Sequence, residues 1–256
     1  MENSVAKNIL AISLVQANTK YDSIEGNLAH LEELIDSNPE KSDIYLLPEL
    51  FNTGYQKAFS TRPEMLGLYT TRWMRQMAER KKAAICGSIA ISESEKTYNR
   101  MLFVSPDGKI QWYDKINVFK FSGEDKVFSA GERQIVFEFL GWKIKPIICF
   151  DLRFPESVRN LQPWYDLILC SAHWPEPRIA AWDTLLKARA IENQSYLAAV
   201  NRYGNEGDSL YPGHSGGFNF LGESIGRPMV AEEIQTISFD KQAQNTFRNR
   251  FPFLEN

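Results

Sequence analysis

One cysteine stands where an apolar run ends and a polar segment begins. Cys149 closes the run 145–149, and residues 150–156, which include a proline, follow at once. This pattern predicts a buried strand that turns sharply into a helix at the thiol. A thiol held in that way can attack a carbonyl carbon once a base removes its proton. The sequence therefore predicts Cys149 as a nucleophile.

Two charged residues could assist this thiol, and each lies in a strand-like apolar run. Glu49, in residues 46–50, has few solvated neighbours, so burial should raise its pKa towards the range of a general base. Lys115 could donate to a developing oxyanion together with the peptide N–H of Phe150, which would begin the helix after the nucleophile. A nucleophile, a base and two oxyanion donors together indicate acyl transfer through a covalent intermediate.

Each assignment has a simpler alternative. Free cysteines are often buried as small apolar residues, and this explanation suits Cys86 and Cys170, which lie inside strand-like runs. Glu49 could cap a helix or form a salt bridge, and Lys115 could be a surface lysine paired with Asp114.

The residues that follow Cys149 favour the catalytic interpretation. Asp151, Arg153 and Glu156 come directly after the predicted strand. Charged groups in such a place are costly unless they face a cleft or pair with each other. We expect these three side chains to pair and to hold the junction.

Hydrophobic periodicity predicts the elements that position these residues. Strands are predicted at 8–17, 43–47, 83–91, 99–104, up to 113, 132–139, 143–149, 166–172 and 196–201, with three short ones between 215 and 239. Helices are predicted at 21–36, 63–81, from Pro155, 177–193 and 240–250. The alternation indicates an α/β protein with helices covering sheets on both outer sides, and no linker divides it, so 1–256 is predicted to be a single domain.

Composition bounds the possible partners. The 256 residues carry a formal net charge of −3 without a basic stripe, which argues against nucleic-acid and membrane-surface partners. Three cysteines without a CxxC pair, and a start without a basic and apolar leader, favour the cytoplasm. The three histidines are scattered and glycine-rich phosphate motifs are absent, so no metal or cofactor is predicted.

Glu49, Lys115 and Cys149, in this order and setting, resemble the Glu-Lys-Cys triad of the nitrilase superfamily, the carbon–nitrogen hydrolases that open amides through a thioester. The resemblance spans nearly the whole chain. It implies a four-layer α-β-β-α sandwich that commonly forms a homodimer. It also implies that Glu124 orients the lysine and the substrate, although Glu124 could instead be an ordinary loop carboxylate.

Within this superfamily, residues 114–119, 149–155 and 173–175 look most like the ω-amidase branch. The implied substrates are the small amides 2-oxoglutaramate and 2-oxosuccinamate, which would yield ammonia and the free dicarboxylate. Phe150 departs from the Tyr that many relatives carry. Other small amides, N-carbamoyl amino acids and nitriles remain alternatives because their hydrolases share the triad, and an inactive scaffold protein is a further alternative.

An anionic substrate would need a cationic end to its pocket. Arg153, Arg178 and Arg202 are the candidates, and the sequence does not choose among them. His173 and Trp174 follow a predicted strand at the same edge and are expected to line the pocket, although Trp174 could equally belong to the core or rim.

Overall fold

A computed structural model describes residues 6–19, 23–55 and 63–255 of the chain. Within these ranges the strands form two six-stranded sheets and one two-stranded hairpin. The first sheet contains β1 (Ile9–Gln16), β2 (Ile44–Leu46), β3 (Ala84–Glu93), β4 (Lys96–Val104), β5 (Ile110–Asp114) and β14 (Glu233–Asp240). The second contains β6 (Phe137–Phe139), β7 (Trp142–Ile148), β8 (Leu167–Ala172), β9 (Tyr196–Asn201), β12 (Gly216–Phe218) and β13 (Ser224–Ile225). The hairpin pairs β10 (Tyr203–Glu206) with β11 (Ser209–Pro212).

The described α-helices are α1 (Ile24–Ser37), α2 (Tyr69–Lys81), α3 (Pro155–Val158), α4 (Ile179–Glu192) and α5 (Lys241–Arg250). Short 3-10 helices cover Lys120–Ser122, Glu124–Lys126, Cys149–Arg153, Glu176–Arg178 and Phe253–Glu255. Two α-helices begin at a polar cap. The Ser23 side chain accepts from the Gly26 N–H, and the Asp240 carboxylate accepts from the N–H groups of Gln242 and Ala243.

The two sheets are built in the same way. The first has the order β14-β1-β2-β3-β4-β5 and the second β13-β12-β9-β8-β7-β6. In the first, β1, β2 and β3 run parallel, and in the second β7, β8 and β9 do so, with antiparallel strands at the edges. Parallel strands are buried on both faces, which explains the continuous apolar runs of β2 and β8.

Three apolar clusters define the layers. The central cluster packs the two sheets against each other and includes Leu14 and Ile148. A second joins α1 and α2 to the first sheet through residues such as Leu31 and Met77. A third joins α4 to the second sheet through residues such as Trp182. The four-layer α-β-β-α sandwich implied by the sequence is thus confirmed.

Some predicted boundaries are wrong. Helix α2 begins at Tyr69 rather than at residue 63, because Glu64 pairs with Ile91 in a β-bridge while its carboxylate accepts from the Thr70 N–H at 2.9 Å. The strand predicted at 132–139 is only Phe137–Phe139, since residues 132–134 are exposed and polar. The β10–β11 hairpin was not predicted. Residues 21 and 22 of the first predicted helix lie outside the described residues.

Candidate active site

The three predicted site residues follow the ends of three strands. Lys115 comes directly after β5 and Glu49 three residues after β2, so strands of the first sheet position both residues. Cys149 comes directly after β7 of the second sheet. The structure brings the three together at the edge where the two sheets face each other.

Cys149 is the turning point between strand and helix. It is the first residue of a 3-10 helix and has φ of +45°, a left-handed conformation that is uncommon for residues other than glycine. Strained backbone of this kind tends to occur at functional sites. The Cys149 thiol donates to the carbonyl oxygen of His173 at 3.7 Å.

Lys115 lies between two carboxylates. Its Nζ is 2.8 Å from Oε1 of Glu49 and 2.9 and 3.0 Å from the two carboxylate oxygens of Glu124. None of these side chains is more than 1% exposed. Glu124 also accepts from the N–H of Phe119, which fixes the loop that carries it. Glu124 is therefore a direct partner of Lys115, which disagrees with the alternative that it is an ordinary loop carboxylate.

Burial and charge set the protonation of this group. Burial alone would lower the pKa of Lys115, but the carboxylates of Glu124 and Glu49 raise it well above its usual value, so the ammonium stays charged. Burial raises the pKa of the Glu49 carboxyl, and Lys115 opposes that rise. Burial and the charge of Glu49 raise the pKa of the Cys149 thiol well above normal. The thiol therefore needs a base to become a nucleophile.

Both oxygens of the Glu49 carboxylate are held. Oε1 accepts from Lys115 and, at 2.8 Å, from Nδ2 of Asn99, while Oε2 accepts from the His173 N–H at 3.0 Å. The Cys149 thiol is also close enough to lower the Glu49 pKa. The same amide of Asn99 reaches Glu124 at 3.3 Å. Asn99 was not predicted as a site residue, because it lies in the polar first half of β4, next to Arg100, where an amide does not stand out.

A cavity of about 520 Å³ opens above Cys149 and Lys115. Its wall is largely aromatic and aliphatic, and the β10–β11 hairpin forms part of it. The apolar lining residues include Tyr55, Phe119, Phe150, Trp174, Leu210 and Tyr211. A cavity with a mostly apolar wall and a few converging polar groups is typical of a small-molecule site.

Two of the three candidate arginines line this cavity. The guanidinium of Arg153 lies 4.9 Å from the ring centre of Trp174, and that of Arg178 lies 5.3 Å from the ring centre of Phe119. Within the described part of the chain, neither arginine forms an ion pair. Both cations are therefore available to an anionic ligand.

The third candidate, Arg202, does not line this cavity. Its side chain is 0% exposed and donates to Glu206 at 3.1 Å, to Asn18 at 2.9 Å and to the Thr19 carbonyl at 3.0 Å. Burial lowers its pKa to about 10. Arg202 holds the β10–β11 hairpin in place and is not positioned to bind a ligand in the cavity.

His173 and Trp174 both line the cavity, as expected, but not in the same way. His173 is 5% exposed while its imidazole is 0% exposed, so the main chain faces the cavity. Burial and the charge of Arg202 lower the imidazole pKa well below normal, which keeps the ring neutral. Trp174 is 3% exposed and donates from Nε1 to the Arg178 carbonyl at 2.7 Å.

The charges around the junction pair differently from the prediction. Asp151 accepts from Tyr113 and Asn117 rather than from Arg153, because Arg153 turns towards Trp174. Likewise, Asp114 pairs with Arg100 at 2.6 Å and not with Lys115. Cys86 and Cys170 are buried in β3 and β8, as their simpler interpretation predicted.

A sequence comparison matches the model of the carbon-nitrogen hydrolase family over residues 11–246. The chain belongs to this family. The resemblance to the nitrilase superfamily is thereby confirmed, and this carbon-nitrogen hydrolase acts on carbon–nitrogen bonds other than peptide bonds. In the part of this hydrolase that the structure describes, no helix is long and apolar enough to cross a membrane.

Curated relatives cover nearly the full length of this hydrolase. The omega-amidase YafV of Yersinia enterocolitica is 38% identical over 250 residues, which are 95% of this chain and 94% of that protein. The 2-oxoglutaramate amidase of Bacillus subtilis (strain 168) is 32% identical over 248 residues, 95% of this chain and 96% of that protein. These relatives confirm the resemblance to the ω-amidase branch.

Solved structures show the same architecture. The crystal structure of XC1258 from Xanthomonas campestris, a CN-hydrolase superfamily protein with an arsenic adduct in its active site, is 37% identical to this hydrolase. It superposes with a TM-score of 0.92 over 97% of each chain. Nit3 of Saccharomyces cerevisiae, at 22% identity, has the same fold with a TM-score of 0.86 over 97% of each chain.

Proposed function

We propose that this hydrolase is an ω-amidase that cleaves the terminal amide of a 2-oxo dicarboxylate, such as 2-oxoglutaramate or 2-oxosuccinamate. The observation that carries the proposal is the pair Arg153 and Arg178, which line the same cavity as Cys149 and form no ion pair with a carboxylate of the described residues. A guanidinium pairs with a carboxylate in a planar, often bidentate geometry. Relatives named omega-amidase and 2-oxoglutaramate amidase support this substrate class.

In the proposed mechanism, Glu49 takes the proton of Cys149 as the sulfur attacks the amide carbon. Lys115 and the Phe150 N–H stabilise the oxyanion, and Glu124 holds Lys115 in place. Glu49 then gives its proton to the departing ammonia. Glu49 then deprotonates a water molecule that opens the thioester, and it returns this proton to the departing Cys149 thiolate as the dicarboxylate is released.

The protonation states fit these roles. The Cys149 pKa is raised well above normal, so almost no thiolate forms without a base. Glu49 is held by groups from both sheets, so it can receive the proton without moving. The charged Lys115 compensates for the second carboxylate, Glu124, beside which its side chain is buried.

The test is an ammonia-release assay with 2-oxoglutaramate, glutamine, asparagine and an N-carbamoyl amino acid. We expect the highest kcat/KM for 2-oxoglutaramate. A preference for the carbamoyl compound would replace the ω-amidase assignment but retain the Glu49, Lys115 and Cys149 mechanism. Turnover of a nitrile in place of the amides would have the same consequence.

The role of Cys149 is tested separately. Cys149→Ala should lower kcat by at least about a thousandfold, because removing a catalytic nucleophile leaves only binding and oxyanion stabilisation. Cys170→Ala, which removes a buried thiol of the neighbouring strand, is the matched control and should keep its activity. Mass spectrometry should find the acyl adduct on Cys149. Absence of any adduct and any turnover would favour an inactive scaffold protein.

We also propose a homodimer located in the cytoplasm. Ile191 and Leu221 are 50% and 51% exposed, and Ile191 lies close to Gly222, the residue after Leu221, so this exposed apolar surface is a candidate for the interface. All three cysteines are free thiols, which suits a reducing compartment. Light scattering of the wild type and of Ile191→Asp should give a dimer and a monomer, respectively. Cell fractionation tests the location.

A further inference from the structure

The carboxylate of Asp151 collects four hydrogen bonds beside the candidate active site. Its Oδ2 accepts from the Tyr113 hydroxyl at 2.8 Å and from the Ile148 N–H at 2.9 Å. Its Oδ1 accepts from the backbone N–H and from the side-chain Nδ2 of Asn117, both at 2.9 Å. Asp151 is 0% exposed and forms no ion pair with a basic side chain of the described residues.

The residues that supply these four donors are close in sequence to the two reactive groups, Lys115 and Cys149. Tyr113 lies two residues before Lys115 and Asn117 two residues after it. Ile148 lies directly before Cys149, and Asp151 itself lies two residues after it. One carboxylate thus accepts from the Tyr113 side chain before the lysine and from the backbone and side chain of Asn117 after it, and it joins both to the turn that carries the thiol.

This connection has to cross between the two sheets. Lys115 follows β5 of the first sheet, whereas Cys149 follows β7 of the second. No β-ladder hydrogen bond joins these two strands, since each pairs only within its own sheet. Apolar packing between the sheets is not directional, but hydrogen bonds depend steeply on distance and angle.

We propose that Asp151 is a positioning residue that fixes the Lys115 ammonium relative to the Cys149 sulfur. Four donors converge on an acceptor that has room for all of them only as a carboxylate. An asparagine at this place would present its own N–H₂ group to two of the donors. The proposal rests on the proposed roles of Lys115 and Cys149 and not on the identity of the amide.

A second buried carboxylate provides a matched control. Asp166 is 5% exposed and lies beside the opposite end of β7, where it accepts from the Lys143 N–H at 2.9 Å and from Lys241 at 2.8 Å. Like Asp151, it ties the strand to neighbouring elements. Asp166→Asn should therefore lower stability, as Asp151→Asn does, without changing the position of the Lys115 ammonium relative to the Cys149 sulfur.

The experiment compares Asp151→Asn with Asp166→Asn in the full chain. The first readout is the rate at which iodoacetamide alkylates Cys149 as a function of pH, followed by peptide mass spectrometry, which needs no substrate. The second is kcat and KM for the amide with the highest turnover, and the third is the melting temperature. Because alkylation does not depend on the amide, a wrong substrate proposal cannot be mistaken for a failure of this one.

For Asp151→Asn we expect kcat to fall about a hundredfold with KM nearly unchanged, because displacement of a catalytic group by about 1 Å can have that effect. The pH at which Cys149 becomes half-reactive should rise as Lys115 moves away. Asp166→Asn should keep the wild-type alkylation profile and kcat while it melts at a lower temperature. A wild-type profile and kcat in Asp151→Asn would overturn the proposal, as would equal losses of kcat in both variants.

Where Asp151→Asn does not fold, Tyr113→Phe takes its place. This variant removes one of the four donors and keeps the ring, which is 2% exposed. We expect a several-fold lower kcat and a smaller shift of the alkylation profile in the same direction. No change in either quantity would overturn the proposal.

Discussion

The peptide N–H of His173 donates to Oε2 of Glu49 at 3.0 Å, although the two residues are 124 positions apart in the sequence. Glu49 follows β2 of the first sheet, and His173 follows β8 of the second. The carbonyl of the same His173 accepts from the Cys149 thiol. One peptide segment therefore places the proposed base and the proposed nucleophile against each other.

The first prediction concerns Glu49. Glu49→Gln keeps the shape of the side chain but cannot accept a proton, so kcat should fall by about a hundredfold to ten-thousandfold. The ammonia assay measures this effect. Glu93→Gln, in a half-exposed carboxylate that pairs with Arg100, is the control and should be nearly neutral. Near-normal turnover by Glu49→Gln would exclude Glu49 as the base.

The pH profile of the wild type should report the same group. Glu49 must be ionised to accept a proton, and burial raises its pKa above the usual value of 4.5. Activity should therefore fall as the pH drops through this raised pKa, earlier than for an exposed glutamate. The Lys115 pKa is raised well above 10.5, so loss of its charge should not limit activity at moderately alkaline pH. A profile that stays flat down to pH of about 4 would contradict this assignment.

The next prediction concerns substrate selection. Arg153→Met and Arg178→Met should each raise KM for 2-oxoglutaramate by about tenfold to a hundredfold, which corresponds to about 1.5–3 kcal/mol for a hydrogen bond to a charged group. KM for a neutral amide should hardly change, since it has no carboxylate to lose. Arg227→Met, at an exposed arginine paired with Glu233, is the control. Equal effects on charged and neutral amides would show that the arginines do not bind the carboxylate.

A prediction on stability comes from Lys145 in β7. This lysine is 3% exposed, donates to the Gln134 side-chain oxygen at 3.2 Å, and burial lowers its pKa from 10.5 to about 8. A buried cation with a lowered pKa destabilises the fold below that pKa, and the penalty disappears as pH rises towards the unfolded value. The free energy of unfolding should therefore increase between pH 8 and 10.5, by at most about 3 kcal/mol from this group.

The measurement is urea unfolding at several pH values for the wild type and for Lys145→Met. The variant lacks the titrating group, so its advantage over the wild type should be largest near pH 7 and should shrink towards pH 10. Lys187→Met, at an exposed position of α4, should follow the wild type. An advantage that does not vary with pH would show that the fold does not lower the pKa of Lys145.

The last prediction concerns the backbone at Gly131. Its N–H donates to the Lys115 carbonyl at 2.8 Å, and a Cβ atom here would lie 2.2 Å from the carbonyl oxygen of Asp114. Gly131→Ala must displace the segment that carries Lys115, so we expect a loss of about 1–3 kcal/mol in stability together with a clear drop in kcat. Gly216→Ala, where the nearest atom is 3.8 Å away, should be much milder in both melting and ammonia assays. Identical behaviour of the two variants would contradict the inference.

The sequence by itself determined the α/β class and the positions of Glu49, Lys115 and Cys149 at the ends of apolar runs. This was possible because a strand buried on both faces leaves a continuous apolar run, and a charged residue after it stands out. Apolar patterns do not predict an element whose bounds depend on hydrogen bonds made by polar side chains. The helix start at Tyr69 depends on the contact of Glu64 with Thr70, and the β10–β11 hairpin on the anchor provided by Arg202.

Only the tertiary structure decided which residues face each other across the two sheets. It placed Asn99 and the His173 N–H on Glu49, directed Asp151 to Tyr113 and Asn117, and removed Arg202 from the substrate pocket. Local patterns encode burial and the ends of elements, because these depend on neighbours in the chain. Partners that lie many residues apart are set by sheet order and by how the sheets pack, and no spacing within the sequence records that arrangement.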